Sequence, residues 1–402
     1  MSDGTEYGPA SGKAYLRHLK RYVQAPVHGF VAVTPPELSK ICMEELSALG
    51  VEGLTITEAG VEFRGKLSAC YQANLKLRTA GRVLCRLPVF RAGAAEELFH
   101  RAVSIPWELW LNPSIPVQVE PHVEYSRIEH EGVVSETVTA AIRRRYEQLG
   151  TAPPASWREA GDPRRQRIFV RLDRNRCGIS LDTTGTHLHK RGYRTRHAGA
   201  PLRETLAAAL LLKCGWTGDI PLVDGMCGSG TFPIEAALLA RRLPPGLARR
   251  FLFQDWPSFQ DAAWNHLCRK SRESALPRCP APVIGVDLDP EALVLARENA
   301  EKAGTAADTE WEEADFFTFR PQSRKLPPGL LVLNPPYGKR LEGGGGEMYE
   351  RLGSHLRSAF RGWRAAVIAP DRSLAARLRL QPARYWNLLN GGIPIVVAMA
   401  RL

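Results

Sequence analysis

Beyond about residue 200 the chain falls into a regular rhythm of short apolar runs and helical patterns. The runs PLVD (221–224), PVIGVD (282–287), GLLVLN (329–334) and AAVIA (365–369) are apolar at successive positions. A strand with one face in water alternates apolar and polar residues, whereas a strand covered on both faces is apolar throughout. Between the runs stand LRETLAAALLLKCGW, TFPIEAALLARRL and PEALVLARENAEKAG, whose apolar residues recur at helical spacing. Strands alternating with helices build a mostly parallel sheet with helices on its faces. The expected fold class is α/β, closed by a terminal hairpin around Asn390–Gly391–Gly392.

The first half reads differently. VEGLTITEAGVEFRG (51–65) alternates and turns at Ala59–Gly60, and PVQVEPHV (116–123) alternates as a strand. Residues 94–105 and 135–150 are helical in pattern, the second stopped by Gly150. Arg167–Leu172 and Cys177–Asp182 are two alternating runs joined by a hairpin turn at Asp173–Arg176. The expected division is a flexible basic extension over 1–27, a small α+β region over 28–185, and the α/β domain over 186–402.

Charge bears on the partner. The net charge is +12, which favours a polyanion. Residues 183–203 hold no acid, and Lys190, Arg191, Arg194 and Arg196 flank Tyr193, so this segment is the expected phosphate-contacting track. A second basic cluster runs from Arg143 to Arg176. The eight cysteines form no C-x-x-C pair, so neither a metal site nor a disulfide framework is expected and a reducing cytoplasm fits. No apolar run approaches the ~20 residues of a membrane span.

Chemistry is expected where strands end, because open α/β sheets bind ligands at the carboxyl ends of their strands. Gly225, Gly228 and Gly230 follow the first strand and open a helix, without the G-K-[ST] lysine of a triphosphate loop. Asp287 ends the next strand, where a carboxylate can accept both hydroxyls of a ribose. Asp289 before Pro290 suits a helix N-cap and leaves Asp287 free. The spacing from Gly230 to Asp287 is long, as an insertion from RRLPPGLARRFLFQDWPSF to a helix near 261–273 would make it. Asp315 ends a third strand and can accept from an adenine amine, with Phe316 against the base. Asn334, Pro335, Pro336 and Tyr337 end the fourth. Here an amide oxygen, two fixed backbone angles and a flat ring suit a planar base carrying an exocyclic amine.

Taken together, LDTTGTHLHKRGYR (181–194), APLRETLAAALL (200–211), DGMCGSGT (224–231), PPGLARRF (244–251), IGVDLDP and LNPPYGKRL resemble the class I S-adenosylmethionine-dependent RNA methyltransferases that carry an N-terminal ferredoxin-like plus THUMP region. The likeness is greatest to large-subunit ribosomal RNA guanine-N2 methyltransferases and extends over about residues 28–400. It implies a Rossmann-like, seven-stranded sheet with a C-terminal antiparallel hairpin. It implies that Asp224, Gly228 and Gly230 surround the methionine part of the cofactor, with Cys227, Ser229 and Thr231 on the same loop. Asp287 with Leu288 would hold the ribose and Asp315 the adenine, while Glu204 and Thr205 would line the pocket. Asn334, Pro335 and Tyr337 would hold the target base. The THUMP region, within residues 28–185, would grip RNA structure, and the implied partner is RNA, 23S ribosomal RNA first and transfer RNA second. The NPPY motif alone would also serve amino methylation of DNA adenine or cytosine, and a non-catalytic RNA-binding or chaperone protein that keeps the fold is the non-enzyme alternative. The chain stops at Leu402, so a single methyltransferase activity is expected.

Overall fold

The computed structural model describes residues 12–157, 164–194, 202–336, 345–381 and 383–402. The chain divides into two compact units. Unit 1 comprises 1–35, 42–188 and 250–267, and unit 2 comprises 36–41, 189–249 and 268–402.

Unit 1 is built on an eight-stranded sheet of β1 (His28–Val33), β2 (Glu52–Thr57), β3 (Gly60–Gly65), β4 (Arg82–Arg86), β5 (Phe90–Arg91), β6 (Val117–Glu124), β7 (Gln166–Asp173) and β8 (Arg176–Asp182). Its order is β2-β3-β1-β4-β8-β7-β6, with β5 pairing β8. All of its pairs are antiparallel except β6 with β7. The expected 51–65 hairpin and the 167–182 hairpin are both present. In the second, Arg174 (φ 48°) and Asn175 (φ 60°) take left-handed conformations, as a two-residue turn between twisted strands requires. Gly60, at φ 131°, has no alternative, because a Cβ there would stand 2.1 Å from the Ala32 carbonyl oxygen.

Two expectations change in this unit. The extension expected over 1–27 carries regular structure in its described part. Helix Lys13–Leu19 runs into a π-helical turn over Lys20–Gln24, and Leu19 and Val23 are buried. Their i, i+4 spacing makes the apolar stripe that holds it. The long insertion before Asp287 also returns to unit 1. Phe251 and Phe253 stack at 5.5 Å, Tyr71 stacks on Phe253 at 4.6 Å, and Trp264 stands edge-on to both phenylalanines. The Trp256 indole N–H donates to Gln166 Oε1 at 2.7 Å.

Unit 2 holds the seven-stranded sheet, β11-β10-β9-β12-β13-β15-β14. Its members are β9 (Leu222–Asp224), β10 (Val283–Asp287), β11 (Thr309–Glu313), β12 (Leu330–Leu333), β13 (Arg364–Ala369), β14 (Arg384–Asn390) and β15 (Ile393–Arg401). Strands β9 to β13 are parallel, and β15 and β14 close the edge as an antiparallel hairpin through Gly391 and Gly392. The apolar runs are explained by two cores. Leu222, Leu330 and Val332 point into one with Leu206, Leu210 and Phe232. Val223, Leu331 and Leu333 point into the other with Tyr349, Leu352 and Trp363. Because successive residues of one strand serve opposite faces, both must be apolar. The carboxyl ends of β9, β10 and β12 therefore emerge side by side, with the order reversing at β9.

Candidate active site

Asp224 ends β9, and residues 225–230 lead into helix Thr231–Ala240. The loop is anchored on both neighbours. The Gly225 N–H donates to the Val332 carbonyl at 3.3 Å and the Cys227 N–H to that of Val286 at 3.0 Å. The glycines have different reasons. A Cβ on Gly225 would lie 2.3 Å from the Phe316 ring, and one on Gly230 (φ +84°) 2.5 Å from the Trp311 ring. Around Gly228 a Cβ would meet nothing within 4 Å. Two glycines thus let aromatic rings pack against the loop, and the third leaves open space beside the backbone. Gly225→Ala is expected to cost about 1–3 kcal/mol of stability by overpacking, read as a lower urea midpoint. Phe316 cannot yield cheaply, since His355 (5.0 Å) and Phe360 (5.7 Å) hold its ring.

At the end of β10, Asp287 Oδ2 accepts from the Gly228 N–H at 2.7 Å and Oδ1 from the Asp289 N–H at 3.0 Å. A carboxylate has about four acceptor sites, so two bonds leave capacity for a diol. Asp289 caps helix Pro290–Ala303 as expected, accepting from the Glu291 N–H at 2.9 Å. Leu288 beside it is exposed at 69%. Asp224 is buried, and burial, with the nearby Asp287 charge adding, pushes its carboxyl well above the usual range against the Met226 N–H.

Asn334 follows β12 directly. Its Oδ1 is buried and has no hydrogen-bond partner among the described residues. Pro335 is buried beside it, with no N–H to offer that oxygen. A buried carbonyl left unpaired costs about 1–3 kcal/mol, so such an atom marks a place where a donor is to arrive. Tyr337, the expected flat ring, lies outside the described residues.

The profile of the RMKL-like methyltransferase domain matches residues 191–398, just over half of the chain. The chain belongs to this family. The profile of the RlmL ferredoxin-like domain matches residues 29–84. A relative in Synechocystis sp., named "Putative RNA methyltransferase", is 33% identical over 379 residues, 92% of this chain and 96% of that one. The "Ribosomal RNA large subunit methyltransferase K/L" of Methylococcus capsulatus is 37% identical over 377 residues, 90% of this chain and 50% of the relative. The chain spans about half the length of such K/L relatives. Among solved structures, "a putative methyltransferase complexed with SAH" superposes with a TM-score of 0.82 at 26% identity, covering 93% and 98% of the two chains.

Proteins of the RMKL-like family use S-adenosylmethionine, and the residues present fit it: an open glycine backbone, a ribose-capable carboxylate and an orphan acceptor converge on neighbouring strand ends. Asp315 stands two residues past β11, where its Oδ1 accepts from the Phe317 N–H at 3.0 Å. Phe316 does not offer its ring to a base. It is 3% exposed and belongs to the core. The ring beside Asp315 that remains half-buried is Phe317, with the Arg351 guanidinium 3.7 Å above its centroid. His355, pushed down to about 4 by burial and by Arg320, is a neutral edge against Phe316.

The basic track of this RMKL-like chain is corrected most. Arg191 and Tyr193 are buried, and both donate to Glu235, itself wholly buried in helix Thr231–Ala240, at 3.3 Å. The Arg194 side chain is 7% exposed, pairs with Glu204 at 3.3 Å and donates to the Thr231 hydroxyl. These three cannot meet phosphates; they fasten their segment to helices Glu204–Lys213 and Thr231–Ala240. Lys190 is exposed, and Arg196 lies outside the described residues. Glu204 and Thr205 are buried, and burial raises the Glu204 carboxyl against Arg194. Asn299 went unnoticed in the sequence: its Nδ2 donates to the Ser229 carbonyl at 3.0 Å and steadies the glycine loop. It sits on the buried stripe Leu293–Ala296–Ala300, and a polar residue on such a stripe was the available signal.

Among the described residues no cluster of His, Cys, Asp and Glu suits a metal ion, and no helix is long and apolar enough to cross a membrane.

Proposed function

We propose that the chain transfers the methyl group of S-adenosylmethionine to the exocyclic N2 of a guanine in RNA, 23S ribosomal RNA being the substrate favoured by its K/L relatives. The observation that carries the reading is the buried Asn334 Oδ1, without a partner among the described residues, at the end of β12, beside the glycine loop of β9 and Asp287 of β10.

Bound there, the cofactor supplies an electrophilic methyl group. The protein supplies position and polarity. Asn334 Oδ1 accepts one amine hydrogen and a backbone carbonyl of the proline turn accepts the other. That arrangement turns the nitrogen lone pair out of conjugation with the ring and offsets positive charge as it grows on nitrogen. The nitrogen–carbon bond would form as the sulfur–carbon bond breaks, its electron pair staying on sulfur, and the nitrogen would then shed a proton to water, so no carboxylate base is needed at Asn334. Gly228 would let the loop backbone approach the cofactor, Asp287 would take the ribose hydroxyls and Asp315 the adenine amine. The target base leaves its stack to enter, an unstacking cost of a few kcal/mol that is smallest for an unpaired base.

Asp224 gives this reading a pH signature. Its carboxyl is raised by burial, and a cationic sulfonium nearby favours the ionised form. Binding is then expected to release a proton, so affinity strengthens as pH rises. Calorimetry in buffers of different ionisation enthalpy reads this directly. S-adenosylhomocysteine, which lacks the sulfonium charge, should release fewer protons; equal release from both would contradict the role. The reading as a whole is tested by nucleoside mapping in cells lacking the gene, where an N2-methylguanosine should disappear from 23S ribosomal RNA.

A further inference from the structure

In unit 1, Arg174 and Arg176 of the second basic cluster stand at the end of the eight-stranded sheet where β6 and β7 stop and β8 begins. There Tyr125, the residue after β6, is 82% exposed and holds φ at 47°. A bulky residue in the left-handed region is strained, and glycine would sit there more easily. The Arg174 guanidinium lies 5.7 Å from the Tyr125 ring centroid. The surroundings are built rather than loose. The Arg127 N–H donates to Asn175 Oδ1 at 2.9 Å, and the Asn175 N–H to Ser126 Oγ at 3.0 Å. The Ala92 N–H closes the strand end onto the Asn175 carbonyl at 2.9 Å.

Beside the ring is an open recess of about 480 Å³, lined by Val123, Tyr125, Ser126, Arg127, Glu129 and Asn175. That volume lies within the range of small-molecule sites, ~300–1,000 Å³. Arg91, Arg127, Arg174 and Arg176 are exposed around it and pair with no carboxylate among the described residues. Of the acids nearby, Glu124 is engaged by Arg171 at 3.2 Å and by His122 at 3.0 Å. Glu129 lines the recess itself, where it can accept from a base amine.

We propose that this strand end binds an unpaired RNA base, with Tyr125 as the stacking platform and Arg127 and Arg174 on the flanking phosphates. An exposed ring stiffened by its backbone, interleaved with unpaired arginines over a recess, matches how single strands are held: stacking on aromatic faces inside a positive groove. Helical RNA keeps its bases stacked and offers none to the ring. The proposal rests on RNA being the substrate and gives the RNA grip that the resemblance implies for residues 28–185 a particular place, the strand end at Tyr125.

The test is fluorescence anisotropy of the full chain, without cofactor, on a short labelled single-stranded oligoadenylate and on an RNA duplex. Tyr125→Gly removes the ring and relieves the backbone, so the fold is kept and its thermal midpoint should not fall. It is expected to weaken oligoadenylate binding about tenfold and leave the duplex unchanged, while Tyr125→Phe stays within about twofold. Arg174→Ala should lower the salt slope by about one. Unchanged single-strand affinity in Tyr125→Gly, equal losses for Phe and Gly, or no binding by the native chain would each overturn the site; the first is the outcome if the patch serves a protein partner. Methyl transfer and cofactor affinity are measured in parallel. A chain that binds RNA through Tyr125 but transfers no methyl group sinks the catalytic reading alone.

Discussion

Asn334→Ala is expected to lower methyl transfer about 10²–10³-fold, the usual loss when one preorganised polar group is taken from a transition state, while S-adenosylmethionine affinity changes far less. A single atom, not the motif, sets this loss. Asn334 Oδ1 is buried and unpartnered among the described residues, so its desolvation is already met in the folded protein and its polarity is available only to an arriving donor. Asn334→Asp separates two accounts. It keeps an acceptor in place but adds a charge; if orientation of the amine is what matters, it retains more activity than alanine. A rate within threefold of native for the alanine variant would remove Asn334 from the mechanism.

Glu235→Ala should destabilise unit 2 by about 3–5 kcal/mol, the typical cost of breaking a buried ion pair by removing one partner. Glu235 is wholly buried and accepts from both Arg191 and Tyr193. Removing it takes a carboxylate away from a guanidinium whose side chain is 2% exposed. Urea unfolding followed by fluorescence should show a large fall in midpoint, with Arg191→Ala falling comparably. The salt dependence of RNA binding, by contrast, should not change in folded Arg191→Ala protein. A lowered salt slope with intact stability would restore the phosphate track read from the sequence.

That reversal shows where a sequence stops informing. The parallel sheet was legible because burial on both faces leaves a continuous apolar run, and β9, β10, β12 and β13 all carry one. The hairpins at Arg174–Asn175 and Gly391–Gly392 were legible because their turns demand left-handed backbone. The strand-end residues Asp224, Asp287 and Asn334 followed once the strands did. Arg191, Tyr193 and Arg194 were misread because composition records charge and not its distance from water. Glu235, the partner of Arg191 and Tyr193, lies 44 positions from Arg191, and Arg194 pairs instead with Glu204. The clue was present on the other side: an acid in the otherwise apolar helix TFPIEAALLA needs a counter-charge. Phe316 and Phe317 are adjacent aromatics, and nothing local says which turns inward; the space left by Gly225 decides for Phe316. The 13–24 helix was missed because its basic residues outweighed the pair Leu19 and Val23 that anchors it.

The most direct measurement uses S-adenosylmethionine with a deuterated methyl group. The chain is incubated with 23S ribosomal RNA, transfer RNA or DNA, and nucleosides are resolved by mass spectrometry. Deuterated N2-methylguanosine in the ribosomal RNA, lost with Asn334→Ala, is the expected result. Label on adenine or cytosine, label in DNA, or guanine labelling that persists without the Asn334 amide would contradict the account.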